Sequence, residues 1–267
     1  MSKPCNTTRW SSKFDILGII IPGLVLVIWY VVTQVGLVPA YLLPSPAQLG
    51  RVVLDFAVGT WELNPYSNTL WAHVVASSFR VLQGFSLAVI IGLPLGVLSG
   101  RLNVVHRLVD PSINLIRSVP GIGWLPLAMV WLGVGEKTTL FLIALAAFFP
   151  IFINAAQGSR NVSDTYLRAG EMLGANKLAL FTTIVFPAAL PSILAGLRLG
   201  LGLSWGYLVL GELTGVNQGL GAVMMDSRML GHVDMVMVSM LYIAILGWLS
   251  DLLLRTIFKL VPVRVGG

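Results

Sequence analysis

Charge is what this chain lacks. Of 267 residues, 17 are Lys or Arg and 11 are Asp or Glu, 10% together, against roughly a quarter in an ordinary soluble domain. A soluble fold of this length needs far more charged surface than that. The same shortage excludes disorder, because disordered chains are charge-rich and poor in aromatics, and 9% of this chain is Phe, Trp or Tyr. Cysteine is almost absent: Cys5 stands alone, so neither an intrachain disulfide nor a cysteine metal site can form. Catalytic signatures are missing too. There is no HExxH and no EF-hand loop, and Gly133-Val134-Gly135-Glu136-Lys137-Thr138 has the wrong spacing for a phosphate-binding loop.

What the chain has is apolar length. AVILMFWYC residues make up 56%, and the mean hydropathy is +0.86. Long uncharged runs predict an all-α, polytopic helical membrane protein; barrel strands would alternate in short segments. After a tail of residues 1–15, the run from Ile16 to Val38 is long enough to cross a bilayer. It exceeds the apolar region of a cleaved signal peptide, so it is expected to remain as a first span. Residues 39–69 read as an outer, periplasmic loop carrying Arg51, Asp55, Glu62 and one short amphipathic helix. Further uncharged runs cover Val81–Gly100, Ser118–Gly135, Thr138–Ser159, Leu178–Leu213 (interrupted by Arg198) and Met235–Ser250. Residues 70–260 thus form the core, followed by a 261–267 tail. Six spans place both termini on one side.

Basic residues decide which side. The two tails and the 101–117 and 160–177 loops hold Lys3, Arg9, Lys13, Arg101, Arg107, Arg117, Arg160, Arg168, Lys177, Arg255, Lys259 and Arg264. The opposite loops hold Arg51, Lys137 and Arg228. Twelve against three puts both termini in the cytoplasm. The net charge of +6 follows from this orientation rather than from a nucleic-acid partner. The acceptor patterns at Asn6 and Asn161 then face the cytoplasm and are chance matches. Gly92, Gly96 and Gly100 repeat at helical spacing, as do Gly196 with Gly200 and Gly202 with Gly206. Such small-residue faces predict close helix packing.

The 160–178 loop is the most informative stretch. Ser163 or Asp164 can cap a helix. Tyr166, Leu167, Gly170 and Leu173 form an apolar stripe. Gly174 can take the left-handed conformation that ends a helix. A short amphipathic helix with a glycine elbow either lies on the bilayer or fits a groove in a cytoplasmic partner.

These residues resemble a known family. Arg168-Ala169-Gly170, then Gly174, Phe181 and Phe186-Pro187-Ala188-Ala189-Leu190-Pro191, look like the EAA loop of binding-protein-dependent ABC importer permeases. Arg168 stands where that motif has Glu, and Gly170 where it has its second Ala. The resemblance extends over about residues 40–255, to the aliphatic sulfonate, taurine and nitrate (bicarbonate) permeases. It is carried by Leu43-Pro44-Ser45-Pro46, by His73 with Ser77 and Arg80, and by Asp110-Pro111 with Arg117-Ser118-Val119-Pro120. Gly135-Glu136, Phe148-Phe149-Pro150, Gly196-Leu197-Arg198, Trp205, Glu212, Gly219-Leu220-Gly221 and Asp234 continue it.

The resemblance implies the transmembrane domain of a type I ABC importer in a bacterial inner (plasma) membrane, working as a homodimer. Two ATPase subunits would dock on the 163–177 coupling helices through Arg168, Ala169, Gly170, Glu171, Leu173 and Gly174. ATP and Mg belong on those partners, with no cofactor in this chain. A periplasmic or lipid-anchored binding protein would deliver a small oxyanion: an aliphatic sulfonate, taurine or nitrate. Bicarbonate, an aromatic acid or a vitamin precursor are the alternative cargoes. A channel or a secondary transporter are the rival classes. They call for a polar filter ring or paired broken helices in two halves, neither of which the sequence displays. Candidate pathway residues are Arg198, Trp205, Glu212 and Arg80. For Arg198 the pathway competes with a pair to a neighbouring helix. For Glu212 a gate competes with a pair to Arg80 or Arg228, and for Trp205 an interface anchor or core position competes.

Overall fold

The computed structural model describes residues 16–61 and 65–259. The 1–15 tail with Cys5 and Asn6, Glu62 in the outer loop, and the 261–267 tail with Arg264 lie outside them. Eleven α-helices and no strand occur among the described residues.

α1 (Ile16–Val35) follows the first apolar run and stops at Gly36, whose φ of +72° suits glycine. Trp29 ties it to the next loop, its Nε1–H donating to the Pro44 carbonyl at 3.1 Å. α2 (Pro46–Val58) begins on Ser45, whose hydroxyl accepts the Gln48 backbone N–H at 3.2 Å, with proline in the first turn. Buried Asp55 then folds the outer loop back. It accepts the Trp61 N–H at 2.8 Å and the Ser67 hydroxyl at 2.5 Å.

α3 (Leu70–Arg101) and α6 (Glu136–Arg160) form the trunk with a third long helix. That third helix starts as α8 (Lys177–Leu180), passes through a π-turn (Phe181–Val185) and continues as α9 (Phe186–Glu212). α3 is about 48 Å long and α6 about 38 Å, more than the ~30 Å hydrocarbon core of a bilayer. Among the described residues four helices are long and apolar enough to cross a membrane: Leu70–Arg101, Glu136–Arg160, Lys177–Glu212 and Val233–Phe258. The last belongs to α11 (Val233–Lys259).

Glycine lets the trunk close up. A Cβ at Gly96 would stand 2.5 Å from the Phe152 carbonyl oxygen, and one at Gly196 2.7 Å from Asn154 Cβ. Ala88, Ala147, Ala155 and Ala189 fill the same seam between larger Ile151 and Ile193. Gly202 and Gly206 differ: nothing lies within 4 Å of a Cβ built there. Their expected packing face is therefore not used inside the chain.

The apolar run Ser118–Gly135 does not form the single straight span its hydropathy predicts. α4 (Asn103–Ser118) ends at Val119, which is extended (φ −77°, ψ 121°). Pro120 causes this, by excluding the helical region for the residue before it. A 3₁₀ turn (Gly121–Trp124) and α5 (Leu125–Leu132) follow, bent by 89° from α4. Turn and helix together cover only about 20 Å, so this segment makes a fifth crossing only when joined to α4. α7 (Asp164–Met172) connects α6 to α8, and α10 (Leu220–Leu230) connects α9 to α11.

Candidate functional site

α7 is built by its caps. The Ser163 hydroxyl accepts the Thr165 backbone N–H at 3.3 Å, and Asp164 opens the first turn. The helix stops at Gly174, with φ +81°. Gly174 N–H donates to the Glu171 carbonyl at 2.9 Å, and Ala175 N–H to the Gly170 carbonyl at 3.0 Å, which satisfies the last turn. Asn176 then caps α8 by accepting the Ala179 N–H at 2.8 Å. Two helices joined by a short turn through Gly174 thus meet at an elbow.

Gly170 seats α7 on the trunk, since a Cβ there would stand 2.5 Å from Leu180 Cδ2 and 3.0 Å from Ile184 Cδ1. The apolar stripe expected on one face divides. Gly170 is buried, whereas Tyr166 is 67% exposed and Leu173 87%, and Met172 at the tip is also 87% exposed. Arg168, Ala169 and Glu171 are exposed beside them. The helix therefore leans on its own chain through one glycine and turns its large apolar side chains outward.

At the other end of the trunk an ion cluster, buried at Arg80 and Glu212 and exposed at Glu136, joins four helices. His73, Ser77 and Arg80 lie on one face of α3. Arg80 Nη1–H donates to Glu212 Oε1 at 2.6 Å and to the Gln218 carbonyl at 2.6 Å. Its Nε–H and Nη2–H grip both Glu136 oxygens, at 2.7 and 2.5 Å. Glu212, 1% exposed, also accepts the Ser77 hydroxyl at 2.8 Å and the Gly221 N–H at 2.8 Å. Ser77 in turn accepts the Leu220 N–H at 2.9 Å, and His73 Nδ1 accepts the Gly219 N–H at 3.1 Å. Gly219, at φ +149°, leaves room for the Glu212 carboxylate. The cluster clamps the start of α10 to α3, α6 and α9.

Arg198 and Trp205 face α11. Arg198 Nε–H donates to Asp251 Oδ1 at 2.8 Å, and Arg255 reaches the other oxygen at 2.7 Å. Trp205 Nε1–H donates to Ser250 Oγ at 2.9 Å. Of the four candidate pathway residues, Arg80 and Glu212 come together in the ion cluster. Arg198 and Trp205 tie α9 to α11, and all four have partners within the chain. Glu136 and Asp251 went unrecognised as their partners. A charge on a distant helix carries no local signal of what it will meet.

Known proteins place these features. The family described as "Binding-protein-dependent transport system inner membrane component" matches residues 92–266. The taurine transport system permease protein TauC of Escherichia coli K12 is 34% identical over 93% of this chain and 90% of its own length. A putative aliphatic sulfonates transport permease protein SsuC of Bacillus subtilis 168 is 35% identical over 89% of this chain and 83% of its own length. The nitrate import permease protein NrtB of Synechocystis is 33% identical over 78% of this chain and 76% of its own length. The fold resembles a chain of the inward-facing MetNI methionine ABC transporter. The TM-score is 0.60 at 22% identity, over 72% of this chain and 95% of that one. With its long apolar helices and a capped helix projecting between two of them, the chain belongs to the binding-protein-dependent inner membrane components and is an ABC importer permease subunit.

Proposed function

We propose that this subunit carries a small oxyanion, an aliphatic sulfonate, taurine or nitrate, across the bacterial inner membrane. Its six spans leave both termini in the cytoplasm. Two copies pair, and each offers α7 to an ATPase subunit that binds ATP and Mg. A periplasmic or lipid-anchored binding protein loads the outer face. The names of the relatives support the cargo class. Bicarbonate, an aromatic acid or a vitamin precursor fit the same machinery. Arg80, Glu212, Arg198 and Trp205 act by holding the helices that move, rather than by touching cargo.

One observation carries the coupling reading. α7 exposes Tyr166, Met172 and Leu173 at a capped elbow continuous with the trunk helix α8–α9. An exposed apolar tip on a rigid lever suits a groove in a partner. The π-turn just beyond it (Phe181–Val185) is the kind of local defect found at functional hinges. Affinity purification from a strain co-expressing the neighbouring ATPase tests this. The ATPase is expected to co-purify with the wild-type chain and to be lost when Tyr166, Met172 and Leu173 are all changed to Asp. A wild-type chain that purifies without an ATPase and moves substrate unaided contradicts the reading.

A further inference from the structure

Arg117, one of the basic residues of the 101–117 segment, lies in the last turn of α4. It stands at the α4 break, beside a cavity of about 330 Å³ that it shares with Phe149, Ile153, Leu203 and Tyr207. Phe149 and Ile153 lie in the middle of the membrane-crossing helix Glu136–Arg160. Arg117 therefore lies level with the inner part of that apolar helix, which puts it within the bilayer if the helix crosses. It is exposed, and among the described residues it makes no ion pair or side-chain hydrogen bond. Leaving a cation unpaired at that depth is costly, and such residues face cavities or cargo. Arg198, the cation expected to meet an anion, is already paired with Asp251, a carboxylate it shares with Arg255.

The surroundings have two characters. The first cavity is mostly apolar, with Phe149 and Leu203 on its walls. A second cavity of about 210 Å³ meets it at Arg117 and Ile153 and is more polar, with Asn114, Gln157 and Arg160 on its walls beside Phe152 and Ala156. The carboxylate on that side, Asp110, is engaged by Ser99 and by His106 at 2.7 Å, with Arg160 3.8 Å away. The junction thus keeps a surplus of positive charge. Gly121 matters here because a Cβ would collide with the Tyr207 hydroxyl, which closes one wall.

We propose that Arg117 forms a transit site for a small organic anion. The anionic head rests on the guanidinium, whose fork of donors matches an oxyanion. The organic stem lies against Phe149 and Leu203. Passage then runs from the apolar cavity into the polar one. This rests on the importer reading above and adds a selecting residue to it.

The test uses proteoliposomes holding the whole complex with its ATPase and binding protein. ATP-driven uptake of taurine, butanesulfonate and nitrate is measured for wild type, R117Q, R117K and Leu203→Trp. R117Q is expected to lower uptake of all three about tenfold, the worth of one charge-assisted hydrogen bond, while ATPase stimulation by the loaded binding protein persists. R117K, which keeps the charge without the fork, restores only part of the uptake. Leu203→Trp narrows the apolar wall and lowers butanesulfonate uptake more than nitrate uptake, which carries the test if R117Q fails to assemble. Wild-type uptake of none of the three overturns the cargo class and the site with it. Wild-type uptake that R117Q leaves unchanged, or a Leu203→Trp effect independent of stem length, overturns the transit site alone.

Discussion

Burial decides the value of single residues here. Glu212 is 1% exposed and Arg80 5%, so each needs the other. Removing one partner from a buried pair costs about 3–5 kcal/mol, because the remaining charge stays desolvated. Arg80→Leu is therefore expected to lower the thermal unfolding midpoint of the detergent-solubilised protein sharply, while the double variant Arg80→Met with Glu212→Gln loses much less. Equal losses for both would show that the charges are not coupled. Gly219 is a second such position. Its φ of +149° and the adjacent Glu212 carboxylate leave no room for a side chain, and Gly219→Ala should destabilise by about 1–3 kcal/mol in the same assay. The sequence offered Arg80 or Arg228 as the partner of Glu212, and the chain uses Arg80. Glu136, the third member, was legible only as the end of a family motif. Nothing local says that a residue 56 positions away will share an arginine.

Local elements were the most legible. Ser163 and Gly174 each act through their nearest neighbours, so a cap and an elbow are legible in the sequence, whereas the second cap, Asn176, emerges only in the structure. The break at Val119–Pro120 was less so. Hydropathy sees Ser118–Gly135 as one apolar run and carries no information about direction. Gly170 shows a third limit, since pattern placed it on an outward apolar stripe while packing against Leu180 pulls it inward. The elbow makes its own prediction. Valine at Gly174 meets the left-handed penalty of about 1–2 kcal/mol in a site with open space around it. Gly174→Val should then reduce ATPase stimulation by the loaded binding protein while the chain still folds, and Gly174→Asn should reduce it less. Full stimulation in Gly174→Val would remove the elbow from the coupling route.

For the whole molecule the open quantity is sidedness. The ion cluster of Arg80 and the α7 elbow occupy opposite ends of the same long helices. Basic residues gather at the α7 end, and the positive-inside rule predicts that this end faces the cytoplasm. Cysteines placed at Tyr166 and Met229, both well exposed, in a Cys5→Ser background should then report opposite sides. An impermeant thiol reagent added to intact spheroplasts should label position 229 and spare 166. Labelling of 166 would reverse the topology.

The central claim is that this chain moves cargo only when another chain spends ATP. Its most direct test is uptake of radiolabelled taurine into proteoliposomes that hold the chain, its ATPase and its binding protein, with ATP or a non-hydrolysable analogue supplied to the ATPase side. Accumulation with ATP and none with the analogue is the predicted result. Equal movement under both conditions, or movement by the chain alone, would contradict it.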